Sequence, residues 1–323
     1  MIKVLIISAG HNEINGGIER HCKSLIKLFD NDNSISIRYL DDISINKIPI
    51  INKYYYNWKE LYHRIKKTDA NIIHIHGYLH PCVFQVFLIS TILNKNVVFS
   101  PHFHPFKYIN NPFCGKLFYS FFIRPFLNSI STIITLNNDD SYFFRKYHYV
   151  MIPHWINTPN KYTGIKRKEK CILFVGRNDN NKGIDHLYQL PINTYEVHCV
   201  TNGILQRKDF IQHTNISDYE LEQLYHEASV LVVPSKYEAF SLVAMEALIR
   251  GCPILISNQV RIADYLDGLS GVKIFNATVQ PRFLNSIPII MQDTVQIEQI
   301  YSIFSPARIK EMYKKVYTEA FNK

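Results

Sequence analysis

The sequence predicts an α/β protein built from two doubly wound, Rossmann-like halves, and three observations lead to that prediction. Short runs rich in Val and Ile alternate with amphipathic segments along most of the 323 residues. Several runs, such as Val4–Ile7 and Val230–Val233, are apolar at every position, which is typical of parallel strands covered by helices on both faces. The alternation starts again near residue 170, after a linker, Ile152–Lys170, that contains two prolines and a LysArgLysGluLys run.

Each element follows from this alternation of runs. Strands are predicted in the first half at Lys3–Ser8, Ser36–Leu40, Asn71–His76, Asn96–Ser100, Ser131–Leu136 and Tyr149–Ile152. In the second half they are predicted at Cys171–Gly176, Tyr195–Val200, Ser229–Pro234, Pro253–Ser257 and Gly271–Phe275. Helices are predicted at Gly17–Asp30, Asn57–Lys67, Asp218–Ala228, Ser241–Arg250 and Ser305–Phe321. We therefore expect domains at residues 1–157 and 158–305 and a C-terminal helix at residues 306–323.

Composition narrows the class of protein. A hydrophobic fraction of 47% excludes a disordered chain, and the excess of 36 Lys and Arg over 27 Asp and Glu gives a net charge of +9, which attracts phosphate-bearing partners. The six cysteines form no CxxC pair, so we expect free thiols in a reducing cytosol. The N-terminus does not resemble a signal peptide, and the longest apolar stretch, Val83–Leu93, falls short of the roughly 20 residues that span a bilayer. These features predict a cytoplasmic protein, soluble or peripheral on a membrane.

Two polar segments of the first half are candidate ligand sites. Gly16 and Gly17 precede a helix, where backbone amides can bind an anion, although a plain tight turn explains them equally well. The turn does not follow GxGxxG, which argues against a nicotinamide dinucleotide. His74 and His76 share one face of a strand, and His102 and His104 follow a later strand. These four histidines fit hydrogen bonds to a polar ligand, structural packing or the metal of a hydrolase, and no carboxylate or Cys lies beside them to favour metal.

Two loops of the second half suit a sugar diphosphate. Arg177 and Lys182 stand in a polar loop after a buried strand, where two cations can bind a diphosphate or simply face solvent. Glu238 lies in a loop before a predicted helix with Ser241 as its N-cap, and Glu246 lies on that helix. The two carboxylates can accept hydrogen bonds from sugar hydroxyls while the helix amides hold phosphate. The alternative is one surface Glu and one ordinary helix Glu.

These segments resemble those of the retaining glycosyltransferases of family 4. EAFSLVAMEAL resembles their E-x7-E signature, and GGIERH, NIIHIHG, FSPHFHP, IPHWIN and ILFVGRNDNNKG resemble other family motifs in the same order along nearly the whole chain. His154 and Trp155 stand where the family often has Asn-Gly, and a reduced turn at Thr201–Gly203 leaves the choice between UDP and GDP open. The resemblance implies the GT-B fold: two Rossmann-like domains facing across a cleft, the first for acceptor and the second for nucleotide sugar, with a C-terminal helix that crosses back to the first.

The resemblance also implies an activity, a metal-independent hexosyltransferase that retains configuration and uses no cofactor. The implied catalytic residues are His102, Arg177, Lys182 and Glu238. The implied donor-binding residues are Gly16, Gly17, Arg177, Lys182, Glu238, Ala239, Phe240, Ser241, Leu242 and Glu246. The implied acceptor-binding residues are Glu19, His76 and His104.

The expected partners are a nucleoside diphosphate sugar and a saccharide or lipid-linked saccharide acceptor of surface polysaccharide, lipopolysaccharide or capsule synthesis. Lys53–Lys67 and Phe106–Phe126 mix cations with aromatics, which suits contact with an anionic membrane surface, unless the aromatics are core and the lysines solvated. No nucleic-acid-binding motif is present, so no nucleic-acid partner is expected. The alternatives are a GT-B sugar-nucleotide epimerase or phosphorylase, and a metal-dependent hydrolase using His74, His76, His102 and His104.

Overall fold

A computed structural model describes residues 1–8, 17–40, 43–48, 53–78, 80–102, 112–157, 166–277 and 282–323. The chain divides into two compact units, unit 1 (Met1–Pro153 with Pro306–Lys323) and unit 2 (His154–Ser305). Each unit contains a six-stranded sheet whose paired strands all run parallel. The predicted α/β fold of two Rossmann-like halves is therefore confirmed.

The sheet of unit 1 has the strand order β2-β1-β5-β6-β7-β8. Its strands are β1 (Ile2–Ser8), β2 (Ile35–Tyr39), β5 (Ile72–His76), β6 (Asn96–Ser100), β7 (Thr132–Thr135) and β8 (Tyr149–Met151). The helices are α1 (Gly17–Phe29), α2 (Trp58–Lys67), α3 (Pro81–Ile92), α4 (Pro112–Phe118) and α5 (Asn138–Phe143), with α4 continuing through a π turn at Tyr119–Ile123. The chain order reverses direction across the sheet between β1 and β5, and ligands of such folds bind beyond the carboxyl ends of the strands at that point.

An antiparallel hairpin, β3 (Ile45–Ile48) and β4 (Lys53–Tyr56), is added to unit 1 outside the sheet. The sequence analysis placed no strand there. Gln85 of α3 fastens the hairpin, because its side chain accepts from the Tyr56 amide at 2.7 Å and donates to the Tyr56 carbonyl at 2.8 Å. A buried glutamine with both ends satisfied replaces a ladder hydrogen bond.

The C-terminal helix α11 (Pro306–Phe321) belongs to unit 1. Its inward face buries Ile309, Tyr313, Val316, Tyr317 and Ala320. On its solvent side, Lys314 pairs with Asp32 at 2.8 Å, just after α1. Burial opposes ionisation of Asp32, but hydrogen bonds from Lys314 and Ser34 outweigh it and hold the pKa of Asp32 far below its usual range.

The sheet of unit 2 has the strand order β11-β10-β9-β12-β13-β14, the order of a dinucleotide-binding domain, with its reversal between β9 and β12. Its strands are β9 (Cys171–Val175), β10 (Glu196–Val200), β11 (Ile211–His213), β12 (Val230–Val233), β13 (Ile254–Ser257) and β14 (Val272–Phe275). The helices are α6 (Asp218–Glu227), α7 (Leu242–Ile249), α8 (Ala263–Leu266), α9 (Ile287–Ile290) and α10 (Ile297–Phe304). The short edge strand β11 was not predicted.

Unit 2 begins at His154, so residues 154–157 belong to it rather than to the first half. The Ile156 amide donates to the Phe304 carbonyl at 3.0 Å, and the His154 ring meets the Phe240 ring edge-on at 5.0 Å between centroids. No helix among the described residues is both long and apolar enough to cross a bilayer. Cys22, Cys82, Cys171, Cys199 and Cys252 are free and buried.

Candidate active site

The loops that follow β9 and β12 form one surface at the carboxyl edge of the unit 2 sheet. The Lys236 amide donates to the Asn181 carbonyl at 2.7 Å, and Asn181 Nδ2 donates to the Tyr237 carbonyl at 2.9 Å. Gly183 has φ +69°, and a Cβ there would overlap the Pro234 carbonyl oxygen. The first loop therefore lies directly on the end of β12, at the point where the strand order reverses.

Lys182 and Glu238, one from each loop, form an ion pair at the centre of this surface. Their Nζ and Oε1 atoms are 2.8 Å apart, and only 20% and 11% of the side chains are exposed. Ser235 Oγ donates to the same Glu238 oxygen. The Glu238 backbone is fixed as well, since its amide donates to Gln259 O at 3.2 Å and its carbonyl accepts from Arg261 N at 2.9 Å. The pair is a preformed arrangement of one cation and one carboxylate that are both largely shielded from solvent.

Arg177 lies at the edge of this surface rather than in the ion pair. Its guanidinium pairs with Asp179 at 3.0 Å, and 70% of the side chain is exposed. Asp179 also accepts from the Lys182 amide at 3.0 Å and so shapes the turn that carries Lys182. The expected pairing of two cations is thus divided, with Lys182 held and Arg177 at the solvent side.

Helix α7 begins at Leu242 beside Glu238, with Ser241 at the predicted N-cap position. Ser241 occupies the N-cap position as predicted, but its side chain makes no capping hydrogen bond. The Ser241 side chain is buried and Leu242 is exposed. First-turn amides that no side chain caps are donors suited to an anion.

Ala239 and Phe240 connect the ion pair to this helix. The Phe240 ring packs edge-on against Tyr265 and Phe304, with centroids 6.3 and 6.1 Å away. Phe240 therefore anchors the loop in an aromatic cluster that also includes His154. Burial lowers the pKa of His154 to about 4, so this ring is neutral at physiological pH.

Glu246 lies on α7, one turn inside the helix. Tyr225 of α6 donates to its Oε2 at 2.9 Å, and Arg250 Nη1 donates to its main-chain oxygen at 3.0 Å. The structure thus orients the carboxylate by a phenol, a contact that the sequence analysis did not foresee.

Three histidines meet at the carboxyl edge of the unit 1 sheet. His76 Nδ1 and His102 Nε2 share a hydrogen bond of 2.7 Å, and the His21 ring lies 5.7 and 5.0 Å from those two rings. His102 has φ +66°, a strained conformation that directs its ring into the cluster. His21 comes from α1, within the GGIERH segment, and was not proposed as a site residue.

His74 has a structural role. Its Nδ1 bonds Tyr317 Oη and its Nε2 bonds Ser100 Oγ, both at 2.8 Å, and burial lowers its pKa to about 3. Because both ring nitrogens of His74 already have hydrogen-bond partners, His74 does not belong to the four-histidine metal set of the hydrolase alternative. His104 and Gly16 lie outside the described residues.

Two groups of the described residues have the donors for a metal ion. Ligand atoms of His21, His76 and His102 lie within 4.8 Å of one another, as do those of Cys171, Glu196 and His198 at the amino edge of the unit 2 sheet. In the second group, Lys168 already pairs with Glu196 at 2.9 Å.

Glu19 and Gly17 lie on the first turns of α1. Glu19 is buried and accepts from Ser8 Oγ at 3.5 Å, so its carboxylate faces the end of β1. A Cβ at Gly17 would have no heavy atom within 4 Å among the described residues. The structure brings Glu19, His76 and His102 to the carboxyl edge of one sheet, and Lys182, Glu238 and α7 to that of the other.

Several contributors to both sites were missed in the sequence, chiefly Ser235, Asp179, Tyr225 and His21. Ser235 and Asp179 stand within three residues of a predicted site residue, which is a usable signal for a supporting contact. His21 stands two residues from Glu19 on the same helix and carries the same signal, whereas Tyr225 reaches Glu246 from another helix, which only the fold reveals.

The second half of the chain matches a known family. Residues 158–267 match the family model described as glycosyl transferases group 1. The fold is GT-B, since sucrose-phosphate synthase from Thermosynechococcus elongatus superposes with a TM-score of 0.72 at 16% identity over 99% of both chains.

Particular relatives come from several organisms. An uncharacterized 41.2 kDa protein in the cps region of Klebsiella pneumoniae is 24% identical over 64% of this chain and 66% of its own length. An uncharacterized glycosyltransferase of Methanocaldococcus jannaschii is 32% identical over 29% of each chain. This chain therefore spans less than two thirds of the length of either relative. A UDP complex of Anabaena HepE superposes with a TM-score of 0.68 at 12% identity, over 98% of this chain and 100% of that chain.

Proposed function

We propose that this protein transfers a hexosyl group from a nucleoside diphosphate sugar to a saccharide acceptor, with retention of configuration. The observation that carries the proposal is the partly buried Lys182–Glu238 pair, which lies within the segment that matches the glycosyl transferase family and at the reversal point of its sheet. This is where sheets of this order bind nucleotides.

The donor diphosphate would bind to unit 2. Its oxygens would replace Glu238 as the partner of Lys182 and accept from the first amides of α7, and Arg177 would reach them from the solvent side. These positive groups stabilise the charge that develops on the leaving diphosphate. Glu238, once released from Lys182, would accept hydrogen bonds from the transferred sugar, and Glu246 would hold the ribose hydroxyls.

We favour front-face displacement for the reaction. The bond from the anomeric carbon to the diphosphate oxygen breaks, and the acceptor oxygen forms its bond on the same face and gives its proton to the leaving diphosphate oxygen. The diphosphate leaves with the bonding electron pair. On this proposal Lys182 and Arg177 supply the positive charge, and transfer requires neither a metal nor another cofactor.

We assign acceptor binding in unit 1 to Glu19, His76 and His104, and we assign His102 a catalytic role. We propose a lipid-linked saccharide of surface polysaccharide synthesis, at the inner face of the cytoplasmic membrane. The Klebsiella relative in a cps region supports this setting. A solved relative by fold, the lipopolysaccharide outer core galactosyltransferase WaaB, agrees with it at a TM-score of 0.65 and 13% identity.

A metal-dependent hydrolase is the second candidate, and the cluster of His21, His76 and His102 is the observation in its favour. Three histidines with an open position are a known catalytic zinc set. A chelator distinguishes the two candidates, since it would abolish hydrolysis and leave transfer intact.

The test is a thermal-shift screen with UDP, GDP, ADP and their sugar conjugates in the presence of EDTA. A ligand that binds only the folded state raises the midpoint by mass action. We expect one nucleotide family to stabilise the wild type and to have little effect on Lys182→Ala. A protein that no nucleotide stabilises, and that loses stability on chelation, would refute the transferase and favour the hydrolase.

A further inference from the structure

Unit 1 carries an exposed apolar surface on the segment Pro112–Ile123. Phe113, Leu117 and Phe121 follow one another at intervals of four residues, the spacing of one helix face. All three are exposed, Phe113 and Phe121 by 68%, and Phe122 beside them is exposed as well. Buried neighbours Ile123 and Leu127 hold the segment against the core, so this face points outward because of the fold.

The same surface continues onto α3 and α2. Phe84 and Phe122 have ring centroids 5.1 Å apart, and Trp58 lies 6.4 Å from Phe84. The outward face of α3 contains Phe84, Leu88 and Ile92, and none of the twelve residues of α3 is charged. We call Trp58, Phe84, Ile92, Phe113, Leu117, Phe121 and Phe122 the aromatic ridge. An apolar patch of this kind on a polar protein marks a binding surface.

The charged side chains of the chain segment that carries most of the ridge are all basic. No Asp or Glu occurs between Asn71 and Asn138, whereas Lys116 and Arg124 lie on or beside the ridge. Lys59 follows Trp58 directly and lines a 790 Å³ cavity along α2, together with Arg38, His63, Arg64, Lys67 and Glu60. Arg38 also pairs with Asp69 at 2.5 Å, so four of these basic residues face the one carboxylate of Glu60 in the lining. Cations beside exposed aromatics are the composition of surfaces that lie on anionic bilayers.

We propose that the aromatic ridge and the cavity beside α2 seat unit 1 on an anionic lipid bilayer. The ridge enters the boundary between headgroups and acyl chains, and the cavity takes lipid phosphates. The helices of the ridge lie on the bilayer and do not cross it, consistent with their short length. This contact would bring a lipid-linked acceptor to unit 1. That role rests on the proposed function, whereas the contact with lipid does not.

The first experiment is co-sedimentation of the full chain with phosphatidylglycerol vesicles and with phosphatidylcholine vesicles, at low and high salt. We expect binding to the anionic vesicles that weakens with salt. Phe121→Ser with Phe122→Ser should weaken it at least tenfold, and so should Lys59→Gln with Lys67→Gln. The matched controls are Ile289→Ser, a 66% exposed apolar residue in unit 2, and Lys27→Gln on α1, and both should bind as the wild type does.

The second experiment uses the two tryptophans of the chain, Trp58 and Trp155. In a Trp155→Phe variant, brominated phosphatidylglycerol should quench the fluorescence of Trp58, and inorganic phosphate should neither quench it nor displace the vesicles. If inorganic phosphate displaced the vesicles, the cavity would be a site for soluble phosphate, and the proposed contact with a bilayer would be refuted.

Other results would also overturn the proposal. One is the absence of binding to anionic vesicles at low salt. Another is an equal loss of vesicle binding in the ridge variants and in Ile289→Ser. The third is a dimer in solution that Phe121→Ser dissociates. Nucleotide stabilisation is measured on the same variants. Intact stabilisation without vesicle binding refutes this inference alone, and vesicle binding without stabilisation refutes the transferase alone.

Discussion

Lys182 and Glu238 are the residues on which the chemistry depends most directly. The two side chains pair at 2.8 Å, so Lys182 is a cation already positioned for an anion. We predict that Lys182→Ala lowers the initial rate of nucleoside diphosphate release by roughly 100-fold or more, the loss typical of removing one donor to a developing charge.

Lys236 is the matched control for Lys182. It lies on the same surface and bonds the side chain of Asn180, outside the ion pair. Lys236→Ala should retain most of the turnover, and both variants should melt cooperatively. A Lys182→Ala enzyme with near-normal turnover would remove this residue from the mechanism.

The lowered pKa of His74 leads us to predict that the stability of the protein depends on pH. Its pKa is about 3 in the folded protein, because burial disfavours the charged ring, against about 6.5 when exposed. Between these values the unfolded chain binds more protons, so the free energy of unfolding falls as pH falls below about 6.5. At pH 5 this one group would cost about 2 kcal/mol.

His74→Gln is the variant that isolates this effect, because an amide can still bond Tyr317 and Ser100 but does not titrate. Chemical denaturation at pH 7.5 and pH 5 should show a smaller loss of stability in the variant than in the wild type. Equal losses would assign the acid sensitivity to other groups, such as His80 and His154, whose pKa values burial also lowers.

Among elements, the loop from β9 to the Gly183 turn decides whether the site is formed. Gly183 has φ +69°, and a Cβ would overlap the carbonyl oxygen of Pro234. Gly183→Ala should therefore both destabilise unit 2, by about 2–4 kcal/mol, and displace Lys182 from Glu238. Nucleotide stabilisation should drop with it.

Gly268 provides the control, with φ +78° but, apart from its chain neighbours, no heavy atom of the described residues within 4 Å of an added Cβ. Gly268→Ala should cost only the conformational term, about 1 kcal/mol, and leave nucleotide stabilisation unchanged. If the two variants lost nucleotide stabilisation equally, close packing of the loop on β12 would not be what positions Lys182.

The sequence predicted the sheet strands better than the contacts between elements. Runs that are apolar on both faces, such as Val230–Val233, are typical of a covered parallel strand, and this run forms one. The hairpin at Ile45–Ile48 and Lys53–Tyr56 alternates weakly and is held by Gln85, a contact that no local pattern contains. The short edge strand Ile211–His213 is mostly exposed and so lacks an apolar run.

In the candidate active site, too, the local sequence predicted the position of residues better than their contacts. Lys182 and Glu238 lie 56 positions apart in the chain, yet each could be found from its place after a buried strand. The partners that orient site carboxylates, Tyr225 for Glu246 and Ser235 for Glu238, depend on packing and turn geometry. Strand spacing places His74 beside His76 and left open whether it binds a ligand or packs in the core. Spacing does not reveal that Tyr317, far along the chain, occupies its ring nitrogen.

At the scale of the whole molecule, the C-terminal helix links the end of the chain to the stability of unit 1 only. Five α11 side chains are buried there, and the four larger than Ala320 are worth about 1.5–3 kcal/mol each, which together is comparable to the 5–15 kcal/mol stability of a typical domain. Tyr317 also bonds His74, and Lys314 pairs with Asp32. Unit 2 ends at Ser305 and includes none of these groups.

Deletion of residues 306–323 should therefore unfold unit 1 and spare unit 2. Hydrogen exchange should show loss of amide protection in β5 and β6, while β9 and β12 stay protected and nucleotide still slows their exchange further. Deletion of Asn322 and Lys323 alone is the control and should leave both sheets protected, since those residues are exposed. Equal loss of protection in the two sheets would mean that unit 2 cannot hold its fold without unit 1, and the donor site would then depend on the whole chain rather than on its own domain.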